Sequence, residues 1–361
     1  MHLLPPPGRG PGPGPGLGPT RPPHRLPLRL AAVISRQFDG TRPLDDDGIS
    51  RYLSDVTGAY GAPDAARGAT ELAGRPVSSF AAMAVEVLAD AGAEAAPDAV
   101  PPDGPAAPDP AAAGPVRRRR GSGIGQIVLA HATPDIDPRA SAACYLVDSD
   151  PGRPLAFCLS DQGVGAPFLA VRVAGEYLRD ADRGRALVVV LDQSAVPWPV
   201  PDGTRLPIRD LAVGLVLDYD DSADAADRAG GADGQAGSGT ERAASGTGAD
   251  PAGHGGGLAL QQWPDVGPDQ MAGALTGYLD SVRGRFGGPV TLVLGQGVPE
   301  APAERVERGD PDGLCTSVWT TLHRLVTDHD GSDGAAVTFV LAEYDPSLRQ
   351  LSAAAIRWEG A

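Results

Sequence analysis

Apolar residues follow two different spacings along this chain, and the alternation predicts alternating helices and strands. Over residues 77–91 the large apolar side chains recur at the three- and four-residue spacing of an amphipathic helix. Residues 211–217 are apolar on both faces, as in a central strand buried on each side. Elements of this length in alternation are typical of an α/β protein with mainly buried sheets.

The same reading extends over the rest of the chain. Strands are predicted at 30–34, 124–130, 155–159, 186–191, 211–217, 290–294, 336–341 and 353–358. Helices are predicted at 77–91, 139–147, 169–178, 271–286 and 316–326.

Segments of low complexity divide these elements. Residues 1–26 are mostly Pro, Gly and Arg, which predicts a disordered tail or a start placed too far upstream, with a polyproline recognition tail as the alternative. A disordered loop is predicted at about 94–120, ending in four arginines, and a low-complexity insertion at 221–257. Residues 299–312 are predicted to form a surface loop. The remaining chain forms two halves, 27–220 and 258–361.

Net charge and cysteine content indicate which partners and which compartment to expect for this protein. The formal net charge of −16 is unfavourable for nucleic-acid binding. There is no apolar run of 18 residues, which predicts no membrane span, and the N-terminal region lacks the apolar core of a secretory signal. The three cysteines form no CxxC pair, so we expect reduced thiols, a cytoplasmic location and no metal site.

One glycine-containing loop carries the strongest resemblance to a known family. The loop at 157–168 contains Gly163, Val164 and Gly165 and is followed by an apolar helix and then a strand. This layout resembles the nucleophile segment of ketoacyl-acyl carrier protein synthase III, a member of the thiolase-like superfamily. Three further segments that resemble the family occur in its order, at 132–135, 208–217 and 351–358.

The resemblance implies a fold, ligands and partners. The fold would be a duplicated five-layer α-β-α-β-α arrangement of the thiolase-like kind. The ligand or substrate would be an acyl-coenzyme A or acyl carrier protein thioester, with no further cofactor. The partner would be a second copy of the chain or a cysteine-bearing ketoacyl synthase III-like homologue, with the nucleophile loop near the dimer interface, and an acyl carrier protein is a further candidate partner.

The family's three catalytic positions hold other residues in this chain. The resemblance places Val164 where the family has its nucleophilic Cys, Gln296 where it has His, and Leu314 where it has Asn. A condensing enzyme needs a thiolate together with groups that stabilise the enolate and oxyanion. The sequence therefore predicts the loss of the condensing triad.

Other residues could carry altered chemistry. Cys315 lies at a predicted helix start, which favours a thiolate, although a buried packing residue is the alternative. Ser160 and His131 are further catalytic candidates, and His131 could equally be a structural residue. Asp161 is expected to support the loop through backbone hydrogen bonds, with a general base as the alternative. Cys144 and Cys158 are predicted to be core thiols.

Three functions stay open at this point, all within specialised acyl-thioester metabolism. The first is a non-catalytic partner subunit of an active homologue. The second is an acyltransferase or thioesterase-like enzyme that uses a nucleophile foreign to the family. The third is a module that binds an acyl ligand without turnover.

Overall fold

The computed structural model describes residues 23–40, 42–43, 51–52, 54–55, 76–94, 122–137, 141–180, 184–196, 204–220, 257–330 and 336–359. Most of the predicted tail, the loop after residue 94 with its four arginines, and nearly all of the insertion at 221–257 lie outside these residues. The strands are β1 (His24–Leu26), β2 (Leu28–Phe38), β3 (Arg42–Pro43), β4 (Pro76–Val77), β5 (Gln126–His131), β6 (Leu155–Leu159), β7 (Arg185–Asp192), β8 (Asp210–Tyr219), β9 (Leu258–Trp263), β10 (Val290–Leu294), β11 (Arg305–Arg308), β12 (Val337–Asp345) and β13 (Gln350–Trp358). The helices are α1 (Phe80–Glu94), α2 (Ala142–Ser149), α3 (Ala166–Asp180), α4 (Met271–Phe286) and α5 (Ser317–Asp330).

Two mixed sheets repeat the same topology. The first has the strand order β2-β8-β7-β5-β6 and the second the order β1-β9-β13-β12-β10-β11. In each sheet one strand pairs in parallel with both of its neighbours: β5 with β6 and β7, and β10 with β11 and β12. The next two pairings in each sheet are antiparallel: β7 with β8 and β8 with β2 in the first, β12 with β13 and β13 with β9 in the second. The order of β2, β8, β7, β5 and β6 therefore corresponds strand by strand to that of β9, β13, β12, β10 and β11. Among the described strands of these two sheets, β1 is the one without a counterpart.

The sheets and helices form five layers. Helices α1 and α2 pack on the outer face of the first sheet, and α4 packs on the outer face of the second. Helices α3 and α5 lie between the sheets in a shared core, where the rings of Phe168 and Trp319 are 5.2 Å apart. The prediction of a duplicated α-β-α-β-α arrangement is confirmed.

Three local predictions are wrong in detail. Residues 24–26 belong to β1, which pairs antiparallel with β9, so the predicted tail extends too far. Residues 305–308, predicted as loop, form β11 at the edge of the second sheet. Helix α1 begins at Phe80 rather than at residue 77. Ser79 Oγ accepts the backbone N–H of Ala82, and the backbone N–H groups of Ser78 and Phe80 donate to the carboxylates of Asp210 and Asp135.

Strand β6 is an edge strand and not a buried one. It pairs only with β5 among the described strands, and its residues are exposed or half-buried. Cys158 on β6 and Cys144 on α2 are accordingly exposed, which corrects the prediction that both are core thiols. Within the described residues, no helix is both long and apolar enough to cross a membrane.

Candidate functional site

The ends of two corresponding strands meet the starts of the two inner helices. Asp192 is the last residue of β7, and Asp345 is the last residue of β12. A 3-10 turn at Gly163–Gly165 precedes α3, and the segment 313–316 precedes α5. The sequence-predicted loop therefore lies at the carboxyl ends of strands, where α/β proteins commonly place their sites.

The turn before α3 is fitted closely to Asp345. The backbone N–H of Val164 donates to Asp345 Oδ2 at 3.3 Å, and the Val164 side chain is buried. Gly163 has a φ of 49°, and a Cβ at this position would overlap the Asp345 carboxylate. A Cβ on Gly165 would lie 2.8 Å from Gln350 Oε1. The positive φ of Gly163 and the closeness of the Asp345 and Gln350 side chains favour glycine at these two positions.

The segment before α5 is held in the same way by Asp192. Its carboxylate accepts the backbone N–H groups of Leu314, Cys315 and Thr316 at 2.7, 3.0 and 2.8 Å, and the Thr316 hydroxyl at 2.6 Å. Burial raises the pKa of Asp192, and these four donors oppose that effect. Since both carboxylate oxygens accept hydrogen bonds, the arrangement fits the ionised form.

Cys315 lies at the helix start as predicted, but its surroundings disfavour a thiolate. The side chain is fully buried, and its thiol donates to the Gly163 carbonyl at 3.5 Å. Burial raises the pKa of Cys315 well above its ordinary value, and the nearby charge of Asp192 raises it further. The helix start that would favour a thiolate already carries the carboxylate of Asp192, so the expected lowering of the thiol pKa does not occur.

A row of polar side chains crosses the inner face of the second sheet beneath the turn. Strand pairing sets Gln350 opposite Asp345, and Ser352 opposite both Glu343 and Gln262. These residues have the same side-chain parity as Leu341, Ala354 and Leu260, which belong to the core between the sheets. The row comprises Gln262, Glu343, Asp345, Gln350 and Ser352, and we call it the polar row. Gln262 Nε2 donates to Ser352 Oγ at 3.0 Å and to the Gly165 carbonyl at 3.4 Å.

Glu343 is the unusual member of the polar row. Its side chain is 1% exposed, and neither carboxyl oxygen has a hydrogen-bond partner among the described residues. The carboxyl packs against Gly295, where a Cβ would overlap it. Burial raises the pKa of Glu343 to about 8; the charge of Arg205 opposes this shift, and those of Asp192 and Asp345 add to it. The group is therefore a neutral carboxylic acid at pH 7.

The other sequence-predicted residues lie around this cluster and not within it. His131 ends β5 with its ring 4.8 Å from that of Phe80 on the outer layer, and its Nδ1 is 2.7 Å from the Thr133 carbonyl oxygen. Burial lowers the pKa of His131. Ser160 and Asp161 are exposed, and Asp161 has a φ of 63°. Gln296 is exposed in the turn that follows β10.

Leu314 is half-buried and contributes its backbone N–H, rather than its side chain, to the arrangement around Asp192. Among the described residues, no hydrogen bond joins Ser160, His131 and Cys315 as a nucleophile and its base. The predicted structural alternative for His131 agrees with its position on the outer side of the sheet.

Sequence reasoning missed the carboxylates that organise the site. The apolar parts of β7 and β12 are followed by acidic residues: Asp192 in β7, and Glu343 and Asp345 in β12. Their alternation places them on the same face as buried apolar residues, and this was the signal available in the sequence. Among the described residues, no group of His, Cys, Asp and Glu side chains has an arrangement that could hold a metal ion.

Comparison with known proteins gives structural similarity without sequence similarity. No family model matches the chain. No curated protein matches it either.

Solved structures do match the chain. The 3-oxoacyl-(acyl-carrier protein) synthase from Burkholderia xenovorans LB400 aligns with a TM-score of 0.51 at 11% identity, over 92% of this chain and 95% of that one. The 3-oxoacyl-(acyl carrier protein) synthase III from Pseudomonas aeruginosa PAO1 aligns at 0.49 and 17%, over 92% and 98%. OleA from Xanthomonas campestris aligns at 0.47 and 12%, over 92% and 98%. At these identities the similarity concerns the fold alone: the chain has the duplicated α/β fold of the Burkholderia synthase structure.

Proposed function

We propose that this chain is a non-catalytic subunit that pairs with a cysteine-bearing, ketoacyl synthase III-like relative in acyl-thioester metabolism. One observation carries the proposal: the N–H of Val164, at the start of α3, already binds the carboxylate of Asp345. Helix-start N–H groups of this kind serve in acyl transfer as donors to a developing oxyanion. Here an internal anion takes that donor, and Val164 itself has no nucleophilic atom.

The nearest thiol does not compensate. Cys315 is buried, and its thiol donates a hydrogen bond to the Gly163 carbonyl. Burial and the nearby carboxyl groups disfavour ionisation of this thiol. A substrate oxyanion in this place would be repelled by Asp345 and Asp192. The geometry thus supports a retained scaffold more strongly than a working acyl-transfer centre.

The two corresponding edge strands differ in a way that supports pairing through β6. Strand β11 carries Arg305, Glu307 and Arg308, and Glu307 also pairs with Arg324 of α5 at 3.0 Å. Charged edges of this kind discourage strand addition. Strand β6 contains no charged residue, and the apolar side chains of Tyr145, Leu155 and Tyr177 beside or on it are exposed. An apolar edge beside exposed aromatic rings is the surface expected of a subunit interface.

The pairing is tested by co-expressing the chain with the cysteine-bearing relative from the same genome and measuring the complex by native mass spectrometry. Leu155 and Val306 are a matched pair, since they are 39% and 37% exposed on corresponding edge strands. We expect Leu155→Arg to weaken the complex at least tenfold and Val306→Arg to leave it unchanged. A chain that stays monomeric beside the relative, or equal effects of the two substitutions, would refute the proposed interface.

The absence of a covalent acyl-enzyme is tested separately by measuring the intact mass of the chain after incubation with a panel of acyl-coenzyme A thioesters. We expect no mass gain on the folded chain. An adduct on Cys315 or Ser160 would overturn the non-catalytic assignment in favour of an acyltransferase or thioesterase-like enzyme. A digest of the same sample distinguishes these two residues from the exposed thiols Cys144 and Cys158.

A further inference from the structure

The polar row contains more hydrogen-bonding capacity than the described residues use. Both oxygens of Glu343 and the Oε1 atom of Gln350 are buried and have no partner among these residues. Buried polar atoms in folded proteins almost always have a partner, which can be protein, water or ligand. Three unused acceptor or donor positions within one row therefore point to a molecule that supplies the missing partners.

The two side chains lie on adjacent strands and on the same face of the second sheet. Gln350 is paired with Asp345, and Ser352 is paired with Glu343, so Glu343 and Gln350 are diagonal neighbours on adjacent strands. Diagonal neighbours on one face of a sheet lie within reach of longer side chains. Asp345, which stands between them, is engaged by the N–H groups of Val164, Ser347 and Leu348.

The surrounding charges disfavour an anionic ligand. Asp192 and Asp345 are carboxylates beside Glu343, and they repel an anion. The positive charge of Arg205 also acts on Glu343, and its guanidinium donates to the Gly313 carbonyl. A neutral Glu343 offers one O–H donor and one carbonyl acceptor, while Gln350 Oε1 requires a donor.

We propose that Glu343 and Gln350 form a binding site for an uncharged small ligand that carries an amide group. The ligand carbonyl accepts from the carboxylic acid of Glu343, and the ligand N–H donates to Gln350 Oε1. A Cβ on Gly295 would overlap the Glu343 carboxyl, and the next two residues, Gln296 and Gly297, are exposed. This site is independent of the proposed pairing and is tested on the isolated chain, so either proposal can fail alone.

Three probes of equal size separate the ligand classes. Propionamide donates and accepts, methyl acetate only accepts, and propionate is an anion. Binding to the isolated chain is followed by saturation-transfer NMR, with a Kd of about 1 mM expected for a fragment of this size. We expect propionamide to bind at least tenfold more tightly than methyl acetate, and propionate not to bind.

Variants connect the binding to these two residues. Glu343→Gln retains a donor and an acceptor, so propionamide binding should change less than threefold. Glu343→Leu and Gln350→Leu should each weaken it at least tenfold. Gln126→Leu is the control, because Gln126 is also a buried side chain with unpartnered atoms among the described residues but lies at the start of β5.

A second measurement does not depend on the variants folding. In the wild-type chain, infrared difference spectra should show the carboxylic-acid C=O band shifting when propionamide is added and staying fixed when propionate is added. Absence of propionamide binding, equal binding of propionamide and methyl acetate, or unchanged binding in Glu343→Leu would overturn the proposal. Absence of binding would leave water as the partner of the row, whereas either of the other two results would show that propionamide binds without the proposed contacts.

Discussion

Asp192 and Asp345 stand at corresponding strand ends, and each binds the start of a helix in the opposite half. Asp192, on β7 of the first half, accepts from the residues that precede α5 in the second half. Asp345, on β12 of the second half, accepts from Val164 before α3 in the first half. Carboxylates near helix N-termini are favoured by the helix dipole and by unpaired N–H groups. The two halves of the fold are thus joined twice by the same kind of contact, a carboxylate at a strand end that accepts N–H groups before a helix of the other half.

The bracing by Asp192 predicts a large stability effect. Asp192→Asn would place an amide NH2 against donors from Leu314, Cys315 and Thr316, so buried N–H groups would lose their acceptor. We expect a loss of about 3 kcal/mol in the free energy of unfolding, measured by urea titration.

Glu86→Gln is the matched control for this charge removal. Glu86 pairs with Arg36 at 2.8 Å, but both side chains are largely exposed, and such pairs contribute about 1 kcal/mol or less. A loss for Asp192→Asn no greater than that for Glu86→Gln would contradict the bracing role.

Local sequence patterns predicted the elements well where the pattern itself determines them. The helix at 271–286 and the strand at 290–294 have the predicted bounds, because apolar periodicity and the following glycines fix both. The start of α1 was misplaced since two carboxylates distant in sequence, Asp135 and Asp210, set it. Cys158 was misassigned because periodicity reveals an apolar strand but not its place at the edge of a sheet.

The site was predictable only in part, for a related reason. The glycines of the turn at 163–165 could be identified from the loop's composition, yet what they accommodate comes from β12 and β13, nearly two hundred residues away. Separation in sequence also hides the environment of Cys315, because Asp192 lies 123 residues before it. A helix start lowers a thiol pKa only when no carboxylate already caps it, and Asp192 caps it here.

Gly295 is predicted to be required for the packing of Glu343. A Cβ at Gly295 would overlap the Glu343 carboxyl, so Gly295→Ala should destabilise the fold by about 2–3 kcal/mol. Gly273→Ala on α4 meets no atom within 4 Å and should be neutral or stabilising by about 1 kcal/mol.

A double-mutant cycle isolates the contact. Adding Glu343→Ala to Gly295→Ala should recover part of the lost free energy, since the overlapping carboxyl is then gone. Strict additivity of the two substitutions in thermal or urea unfolding would show that the clash is not the cause.

The three thiols should differ sharply in reactivity. Cys144 and Cys158 are exposed, whereas Cys315 is fully buried with a raised pKa. Iodoacetamide should therefore modify two cysteines in the native chain and the third only under denaturing conditions. Peptide mapping after timed quenching measures this, and Cys315 modification as fast as that of Cys158 would contradict the buried, protonated thiol.

The raised pKa of Glu343 predicts that the stability of the fold depends on pH. Its pKa rises from an ordinary 4.5 to about 8 on folding, so between these values the folded chain binds more protons than the unfolded chain. Stability must then decrease as pH increases through this window, by up to roughly 5 kcal/mol for a complete shift. Below pH 4.5 both states bind the proton, and above pH 8 both have lost it, so the slope vanishes at each end.

Glu343→Gln removes this term while keeping the shape of the side chain. Urea unfolding at intervals from pH 5 to 9 should show the variant gaining stability relative to wild type as pH rises, with the largest difference near pH 9. The difference between the two chains is informative because His131, whose lowered pKa has the opposite effect at lower pH, contributes equally to both. Glu86→Gln should run parallel to wild type. Parallel curves for Glu343→Gln and wild type would show that Glu343 is ionised in the folded chain, which would also remove the donor that amide binding requires.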